Sequence, residues 1–422
     1  MHSSREISSV GAVLVAIAMA VVLSTASARA DETCVTCHSV QRDPRLHEPV
    51  TRMGTSVHAT AIGCSGCHGG RANEPTAAAH DPNSGFVAHP SASVIADRCG
   101  SCHADARFIR RFSGELPTDQ LALFHGTPHG QAMSAGNASA PTCTTCHGSH
   151  DVRPATDPAS RVSPMHVAET CAQCHADATR MAGTHLTTNQ VALWTESVHG
   201  RAVLQDANPR APTCVGCHGA HGEFREAGGP EGRCRHCHED EAAAFDRSPH
   251  ASVYRRLGFS GCVACHGSHD IREAHGTLGT AGGMGVCRQC HADGRASFEL
   301  ARQIANDAES ARRDLDEARA AARHLDEDGL RVPVVAALID DASHAEIRLR
   351  VALHALDVDV VHEAAQAVRT PAHRARDAAL RARSQYTTGR RAWLFAIPLL
   401  GLFIALSVLK IRRLDRARKQ GV

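Results

Sequence analysis

Hydrophobic residues gather near the two ends of this 422-residue chain and follow a helical period in its last third. One apolar run covers residues 10–23 and another covers residues 392–409. Between residues 300 and 325, small or apolar side chains recur every three or four positions between charged ones. That spacing is typical of an amphipathic helix, and no stretch alternates as a strand would. We therefore predict a mainly α protein with extensive loops.

The amphipathic pattern predicts three successive helices. The first ends before Gly329 and Pro333, and the second carries an apolar stripe from Leu338 to Leu356. A third is expected from about Val360, interrupted at Pro371 and leading towards the second apolar run. Residues 297–388, which contain no cysteine, are therefore predicted to form a helical hairpin or small bundle that acts as a stalk or docking region.

The first apolar run has the features of an export signal. Arg5 precedes it, and Ala28-Arg29-Ala30 supplies an A-x-A cleavage site. The alternative is an uncleaved membrane anchor, but the run is short for a membrane span. We predict that residues 1–30 are a signal peptide.

The second apolar run is predicted to cross a membrane. Residues 392–409 are long enough for one helix, and Trp393 marks an interface. The basic tail, residues 410–422, predicts a cytoplasmic C-terminus by the positive-inside rule. The alternative is a buried helix of a soluble protein. We expect a single-pass protein of the cytoplasmic membrane, with its main domain on the periplasmic or extracytoplasmic side.

All 18 cysteines of the chain lie in nine C-x-x-C-H motifs. This pattern is the attachment signature of haem c, in which two cysteines form thioethers and the histidine ligates the iron. Zinc ribbons and disulfide pairs are the alternatives, but neither demands a histidine after every second cysteine. The predicted thioether cysteines are Cys34, Cys37, Cys64, Cys67, Cys99, Cys102, Cys143, Cys146, Cys171, Cys174, Cys214, Cys217, Cys234, Cys237, Cys262, Cys265, Cys287 and Cys290. The predicted proximal ligands are His38, His68, His103, His147, His175, His218, His238, His266 and His291.

Internal repeats organise these motifs into four two-haem units behind one leading motif. Residues 116–151 match residues 186–222 almost position by position, and degenerate copies surround residues 55–70 and 248–270. Residues 31–296 are thus predicted to form a domain organised by nine covalent haems, followed by the bundle and the membrane helix. Since so short a chain builds little apolar core, the porphyrins are expected to supply buried material.

Haems that only carry electrons need a second strong axial ligand. Two recurring positions offer it, S/T-x-H-G/A and C-H-G-x-H, but the first unit has Arg71 at the second position. His80 and His166 are chosen for the two remaining irons. The nine candidate distal ligands are His58, His80, His129, His150, His166, His199, His221, His250 and His269.

Other histidines are kept in reserve or given surface roles. His236 is expected to be exposed, and His354 is interpreted first as a surface histidine, with partner docking or haem ligation as alternatives. The reserve candidates are His47, His89, His125, His185 and His275. Sequence does not say which histidine serves which haem.

These motifs resemble the membrane-anchored multihaem cytochromes c of the cytochrome c3-like superfamily. The shared features are the repeated SVHG, CxxCHGxH and CxxCH segments, the helix "RLRVALHALD" and the membrane exit "VLKIRRLD". The resemblance implies extracytoplasmic electron transfer beside a quinone-reactive or cytochrome b membrane subunit. A soluble cytochrome or terminal reductase is the expected second partner. The near-neutral net charge of +1 gives no indication of nucleic acid binding.

Two other functions compete with that of an electron carrier. A multihaem reductase of nitrite, hydroxylamine or a sulfur oxyanion would need one open iron site. Some such enzymes use a lysine ligand, but Lys410 and Lys419 are the chain's two lysines and both lie in the basic tail. A polymerising haem wire is the third hypothesis, which the predicted membrane anchor and stalk disfavour. We expect an electron-transfer protein rather than an enzyme.

Overall fold

The computed structural model describes residues 32–222, 230–272 and 285–420. Within these ranges the chain consists of helices joined by loops and has no strand, which confirms the predicted helical class. The predicted signal peptide and the reserve candidate His275 lie outside the described residues.

Most helices are short, and three long ones follow near the C-terminus. In chain order they are α1 Glu32–Ser39, α2 Pro44–Met53, α3 Gly63–His68, α4 Ala92–His103, α5 Ala106–Ile109, α6 Gln120–His125, α7 Pro128–Ser134, α8 Cys143–His147, α9 Val167–His175, α10 Gln190–Glu196, α11 Val198–Leu204, α12 Cys214–His218, α13 Pro230–Cys237, α14 Glu239–Asp246, α15 Pro249–Leu257, α16 Gly261–His266, α17 Gly285–Arg288, α18 Ala296–Glu327, α19 Pro333–Ala352 and α20 Val358–Gln420. Single 3-10 turns cover Ala77–His80, Pro82–Ser84 and Leu353–Ala355.

The described residues divide into two compact units. The first unit runs to Arg233 and also takes in Ser268–Ile271. The second combines Cys234–Gly267 with the described residues from Arg272 onward. Six C-x-x-C-H motifs therefore belong to the first unit, and the last three share a unit with the long helices.

The first unit has a small apolar core made of short helices. Its largest cluster places Trp194 and Val203 against Ala168, and the Trp194 indole N–H donates to the carbonyl oxygen of Pro212 at 3.3 Å. A core of this size buries too little apolar surface to offset the entropy of ordering so long a chain. Six of the nine C-x-x-C-H motifs lie in this unit, as expected if another apolar group completes its interior.

The second unit contains a three-helix bundle formed by α18, α19 and α20. Helix α20 packs against both of the others, and its buried residues advance by four and three positions through Val361, Ala365, Val368 and Ala372. This is heptad spacing, and alanine at two of these four positions and at the next two buried positions, Ala375 and Ala379, permits close approach of the helix axes. The sequence prediction of a bundle in this region is therefore correct.

Ion pairs spaced by heptads set the register between α18 and α20. Asp307, Asp314 and Asp328 on α18 contact His362, Arg369 and Arg383 on α20, and each partner lies 55 residues further along the chain. Because both sides advance together, the two helices run parallel, and α19 returns between them. The N-termini of α18 and α20 and the C-terminus of α19 thus meet at one end of the bundle.

The predicted interruption at Pro371 is wrong. Helix α20 continues through Pro371 from Val358 to Gln420. A proline inside a helix costs about 3 kcal/mol because it removes a hydrogen bond and crowds the preceding turn. Here Val368, Ala372 and Ala375 on the same helix are fully buried in the bundle, and their packing keeps the helix continuous.

Helix α20 also carries the apolar run. Among the described residues it is the helix long and apolar enough to cross a membrane, and none of its most apolar 18-residue window is buried. Trp393 and Phe395, for example, are 65% and 74% exposed. An apolar surface of this extent needs a nonaqueous neighbour, so the segment is a possible membrane anchor.

Candidate haem-binding centres

Four of the C-x-x-C-H motifs end their helix with a glycine directly after the histidine. These residues, Gly69, Gly148, Gly219 and Gly267, have φ between 68° and 82°, with ψ within 30° of 180°. Only glycine adopts that combination without strain. The glycine therefore ends the motif helix at the histidine and turns the chain sharply, and three of the four turns lead directly to the histidine of C-H-G-x-H.

The structure places eight proximal histidines opposite a second histidine. In every case the ring centroids are 5.7–6.0 Å apart. The pairs, proximal residue first, are His38 with His80, His68 with His150, His103 with His58, His147 with His221, His175 with His129, His218 with His269, His266 with His354, and His291 with His250.

This separation fits an iron atom held between the two rings. Two metal–nitrogen bonds of roughly 2 Å each, plus the distance from nitrogen to ring centre, place the centroids about 6 Å apart. The separation of 3.5 Å between Nε2 of His250 and Nε2 of His291 also suits a shared metal more than a direct contact of two neutral rings. The residues present therefore fit haem c, which when bound exchanges single electrons at its iron.

The C-H-G-x-H histidines pair with the preceding repeat. His150 faces the proximal His68, His221 faces His147, and His269 faces His218. In each case the second histidine belongs to the following two-motif unit. Each unit therefore completes the first site of the unit before it.

The S/T-x-H-G/A histidines pair within their own unit. His58, His129 and His250 face the second proximal histidine of the same unit, with partners His103, His175 and His291. One class of site is therefore closed locally, and the other joins consecutive repeats.

A buried hydroxyl holds the S/T-x-H-G/A histidine in place in two of the four two-motif units. In the second and third two-motif units, Thr127 caps α7 and Ser197 caps α11. Their oxygens accept hydrogen bonds at 3.0 Å from the N–H groups of Gly130 and Gly200, respectively. The histidine that follows the cap by two residues is thereby fixed in the first helical turn. The equivalent Ser56 and Ser248 are also buried. The Ser56 oxygen accepts a hydrogen bond from the N–H of His58 at 3.2 Å, whereas the Ser248 oxygen has no hydrogen-bond partner among the described residues.

The glycine of the same motif is required by close backbone approach. A Cβ on Gly130 would lie 2.0 Å from the carbonyl oxygen of Phe124. A Cβ on Gly200 would likewise lie 2.0 Å from the carbonyl oxygen of Trp194. The distal histidine helix thus packs directly on the end of the preceding helix, which a side chain at this position would prevent.

Backbone hydrogen bonds join the two histidine segments of neighbouring units. The N–H of Val57 donates to the carbonyl oxygen of Val152 at 3.0 Å, and the N–H of Val198 donates to that of Ile271 at 2.9 Å. Each donor precedes an S/T-x-H-G/A histidine, and each acceptor follows a C-H-G-x-H histidine by two residues. The two kinds of ligand position are therefore fixed relative to each other.

Several paired histidines have their Nδ1 atoms held by the protein. Nδ1 of His68 lies 2.9 Å from the carbonyl oxygen of Val87, and Nδ1 of His291 lies 2.9 Å from Oγ of Ser297. A carbonyl can only accept, so Nδ1 of His68 carries the proton. Its Nε2 is then the nitrogen available to a metal, and the hydrogen bond fixes the ring orientation.

Burial lowers the pKa of several paired imidazoles, which favours their neutral form. Desolvation lowers the pKa of His147, and the neighbouring His221 lowers it further. The pKa of His266 is lowered by burial and then by His354. Neutral imidazole is the form that binds a metal.

The first site shows how the chain compensates for Arg71. The Arg71 guanidinium pairs with Asp81 at 3.1 Å, and the backbone N–H of Arg71 donates to the carbonyl oxygen of Ala79 at 3.0 Å. These contacts flank His80, which ends a 3-10 turn and faces His38. A nearby loop thus supplies the histidine that the other units take from C-H-G-x-H.

Among the described residues, His166 contacts Glu169 and does not face a proximal histidine. Its Nδ1 lies 3.2 Å from a carboxylate oxygen of Glu169, and its side chain is 45% exposed. His354 occupies a paired position instead, opposite His266, so its interpretation as a plain surface histidine does not hold. His354 lies in the helical region, outside the repeats from which most of the distal ligands were predicted.

The remaining candidates lie as follows. His236 is exposed, as predicted, and His89, His125 and His185 are exposed too. His47 lies on α2 with Nδ1 buried. His199 keeps its assignment from the repeat, and His238 keeps its assignment from the C-x-x-C-H motif.

Cysteines of successive motifs come into contact. The Cys99 and Cys143 side chains are hydrogen-bonded, which lowers the pKa of the Cys143 thiol and raises that of Cys99. Cys171 and Cys214 are related in the same way. Within the first compact unit, these contacts join the third motif to the fourth and the fifth motif to the sixth.

The alternatives to haem find no support in the described residues. None of the 18 cysteines, all of which lie within the described ranges, is in a disulfide, and no group of three or more His, Cys, Asp or Glu side chains in those ranges is arranged to hold a metal ion. A structural zinc site needs four such ligands converging on one point. The arrangement is instead one of opposed pairs beside two cysteines.

Comparison with known proteins finds a distant similarity to a curated protein. No family model matches the chain. It is 28% identical over 120 residues to the Cytochrome c-type protein NrfB of Escherichia coli O6:H1 (strain CFT073). The match covers 24% of this chain and 62% of that protein, so the chain spans about three fifths of the length of the curated relative it matches. This partial similarity, the C-x-x-C-H motifs and the paired histidines together point to a multihaem c-type cytochrome.

Proposed function

We propose that this protein is a membrane-anchored c-type cytochrome with nine covalent haems that carries single electrons. The observation that carries the proposal is the set of opposed histidine pairs, which leaves two nitrogen ligands for each of eight irons. An iron with both axial positions filled by strong ligands exchanges electrons without binding a substrate. The reductase alternative needs an open position, and the pairs disfavour it.

The order of the motifs supports transfer along the chain. Besides the contacts between Cys99 and Cys143 and between Cys171 and Cys214, the Cys146 thiol lies near Cys174. In the second compact unit, Cys265 lies close enough to Cys287 to raise the pKa of the Cys287 thiol. The second to sixth motifs, and separately the last two, are therefore neighbours in space, and electrons would pass between those sites in the order of the sequence.

The partners follow from the proposed anchor. We propose a quinone-linked or cytochrome b subunit in the membrane as one partner, and a soluble cytochrome or terminal reductase as the other. Helix α20 runs 34 residues from Val358 to the apolar segment at Ala392, which is about 50 Å at 1.5 Å per residue. The motifs at the bundle end of the second unit would therefore stand well above the bilayer, and a partner that serves them must reach that height.

The proposal is tested by measuring haem content and spin state on the purified full-length protein. A pyridine haemochrome assay should give nine haems per chain. Low-temperature EPR of the oxidised protein should then show low-spin iron throughout. A haem-sized fraction of high-spin iron would contradict the proposal, and nitrite, hydroxylamine and sulfur oxyanions would become the substrates to examine.

A further inference from the structure

We infer that His354, at the end of the helical bundle, is the distal ligand of the iron bound through His266. The inference rests on the proposed function, because it assigns one of its axial ligands. It gives the bundle a direct part in a haem site, in addition to its predicted role as a stalk.

The ring geometry matches that of the other sites. The His266 and His354 centroids are 6.0 Å apart and their planes are inclined by 28°. Nδ1 of His354 lies 2.9 Å from the carbonyl oxygen of Arg350, so this nitrogen carries the proton. Nε2 is then left as the metal-binding nitrogen, as in His68.

The backbone holds His354 firmly where α19 ends. Helix α19 stops at Ala352, and one 3-10 turn, Leu353–Ala355, carries the histidine. Leu356 follows with φ +50°, a left-handed conformation that costs a residue other than glycine roughly 1 kcal/mol or more. Such strain persists when the surroundings fix the chain, and Leu353 packs against the bundle core while α14 packs on the turn.

The repeat pattern explains why a helix supplies this ligand. The C-H-G sites of His68, His147 and His218 each take a histidine from the unit that follows. The motif of His266 belongs to the last unit, so no further repeat follows it. His354 stands where the next C-H-G-x-H would have been needed, and it ends the series.

A consequence is that the bundle and this haem stabilise each other. A ligand that binds the folded bundle end and not the unfolded one adds its binding free energy to folding. Loss of the bundle core would then open one iron, and loss of the axial bond would loosen the end of α19.

The test replaces His354 with alanine in the full-length protein. The H354A variant should retain nine haems, and one haem out of nine should change from low-spin to high-spin in EPR and visible spectra. Added imidazole should return that haem to the low-spin state. H344A, an exposed position on the preceding helix α19, is the matched control and should leave every haem unchanged. H166A is expected to behave like this control.

A second variant keeps the test valid if alanine prevents folding. H354M offers a sulfur ligand at the same position, so one haem should stay low-spin and its reduction potential should rise, as methionine ligation does in c-type cytochromes. If the wild-type protein has nine low-spin haems and both variants leave all nine unchanged, the assignment of His354 is overturned while the proposed function stands. If the wild-type protein lacks those haems, the proposed function itself fails.

Discussion

At the scale of single residues, glycine and a hydroxyl do most of the positioning around the paired histidines. The glycine after His147 or His218 ends the motif helix in a conformation that other residues avoid. The hydroxyl of Thr127 fixes the turn that carries His129. Both types are visible in the sequence as parts of C-H-G-x-H and S/T-x-H-G/A, so the sequence predicted that these positions matter. It could not show which proximal histidine each would face.

Substitution of Gly130 by alanine should disturb one site. The added Cβ would lie 2.0 Å from the Phe124 carbonyl oxygen, so α7 must shift and carry His129 away from His175. We expect a loss of about 1–3 kcal/mol in unfolding free energy, as for other overpacked positions, measured by thermal unfolding. One haem should also lose low-spin character.

The control for this variant is G114A. Gly114 has open space around its Cβ position and should tolerate alanine with no change in stability or spectrum. Equal behaviour of G130A and G114A would contradict the close packing of α7 on the preceding helix.

The inclination of the paired rings predicts two classes of low-spin signal. The four C-H-G sites have ring planes inclined by 6–28°, whereas four other pairs are inclined by 50–85°. Parallel imidazoles separate the energies of the two iron d orbitals that they overlap and give a rhombic EPR signal. Crossed imidazoles leave those orbitals close in energy and give a more anisotropic one.

Quantified EPR should therefore resolve about equal amounts of the two classes among these eight sites. H354A should remove intensity from the rhombic class. A single homogeneous class would argue against the two kinds of site, and loss from the anisotropic class in H354A would assign His354 to another iron.

At the scale of the elements, the helices of the bundle follow the heptad pattern, and α20 continues through Pro371, where the sequence predicted an interruption. The pattern correctly predicted helices around Ala311, Ala342 and Ala365, all now buried in one core. It failed at Pro371, because a local preference against proline inside a helix was outweighed by packing on both sides of it. Packing partners from distant parts of the chain cannot be read from local preference.

Asp314 should make the bundle sensitive to acid. Burial raises the pKa of this carboxyl, but hydrogen bonds from Arg369 and His373 outweigh burial, and the pKa lies below its ordinary value. The stabilisation is therefore fully present above the ordinary carboxyl pKa of about 4 and is lost as the pH falls through the lowered folded value. D314N should cost about 1–3 kcal/mol at neutral pH, since the lost hydrogen bonds involve charged groups.

The measurement is helix content against denaturant at several pH values. The E317Q variant is the comparison, because Glu317 forms a more exposed ion pair with Arg376 and its loss should cost less than about 1 kcal/mol. Equal losses for D314N and E317Q, or acid sensitivity that survives in D314N, would show that Asp314 is not the responsible carboxyl.

At the scale of the whole molecule, the bundle core and the apolar part of α20 are separate along the helix. The last buried core residue is Ala379, and the apolar segment begins at Ala392. Neither the paired histidines nor the bundle core involves residues beyond the start of that segment.

A chain that ends at Arg391 should therefore keep its haems and lose its membrane attachment. We expect the full chain to sediment with membranes and to need detergent for release, and the shortened chain to remain in the supernatant. Haem content and spin state should be the same for both. Membrane retention of the shortened chain would place the anchor elsewhere, and loss of haem would show that the apolar segment supports the haem sites.

The sequence by itself determined the chemistry of this protein, and the tertiary structure decided the pairings. The nine C-x-x-C-H motifs, the repeats and the helical periods are local patterns, because thioether formation, helix capping and heptad packing each depend on residues a few positions apart. The pairing of His80 with His38 and of His354 with His266 depends on which loops and helix ends meet across tens of residues. Such meetings are set by the packing of the whole unit, and local sequence does not encode them.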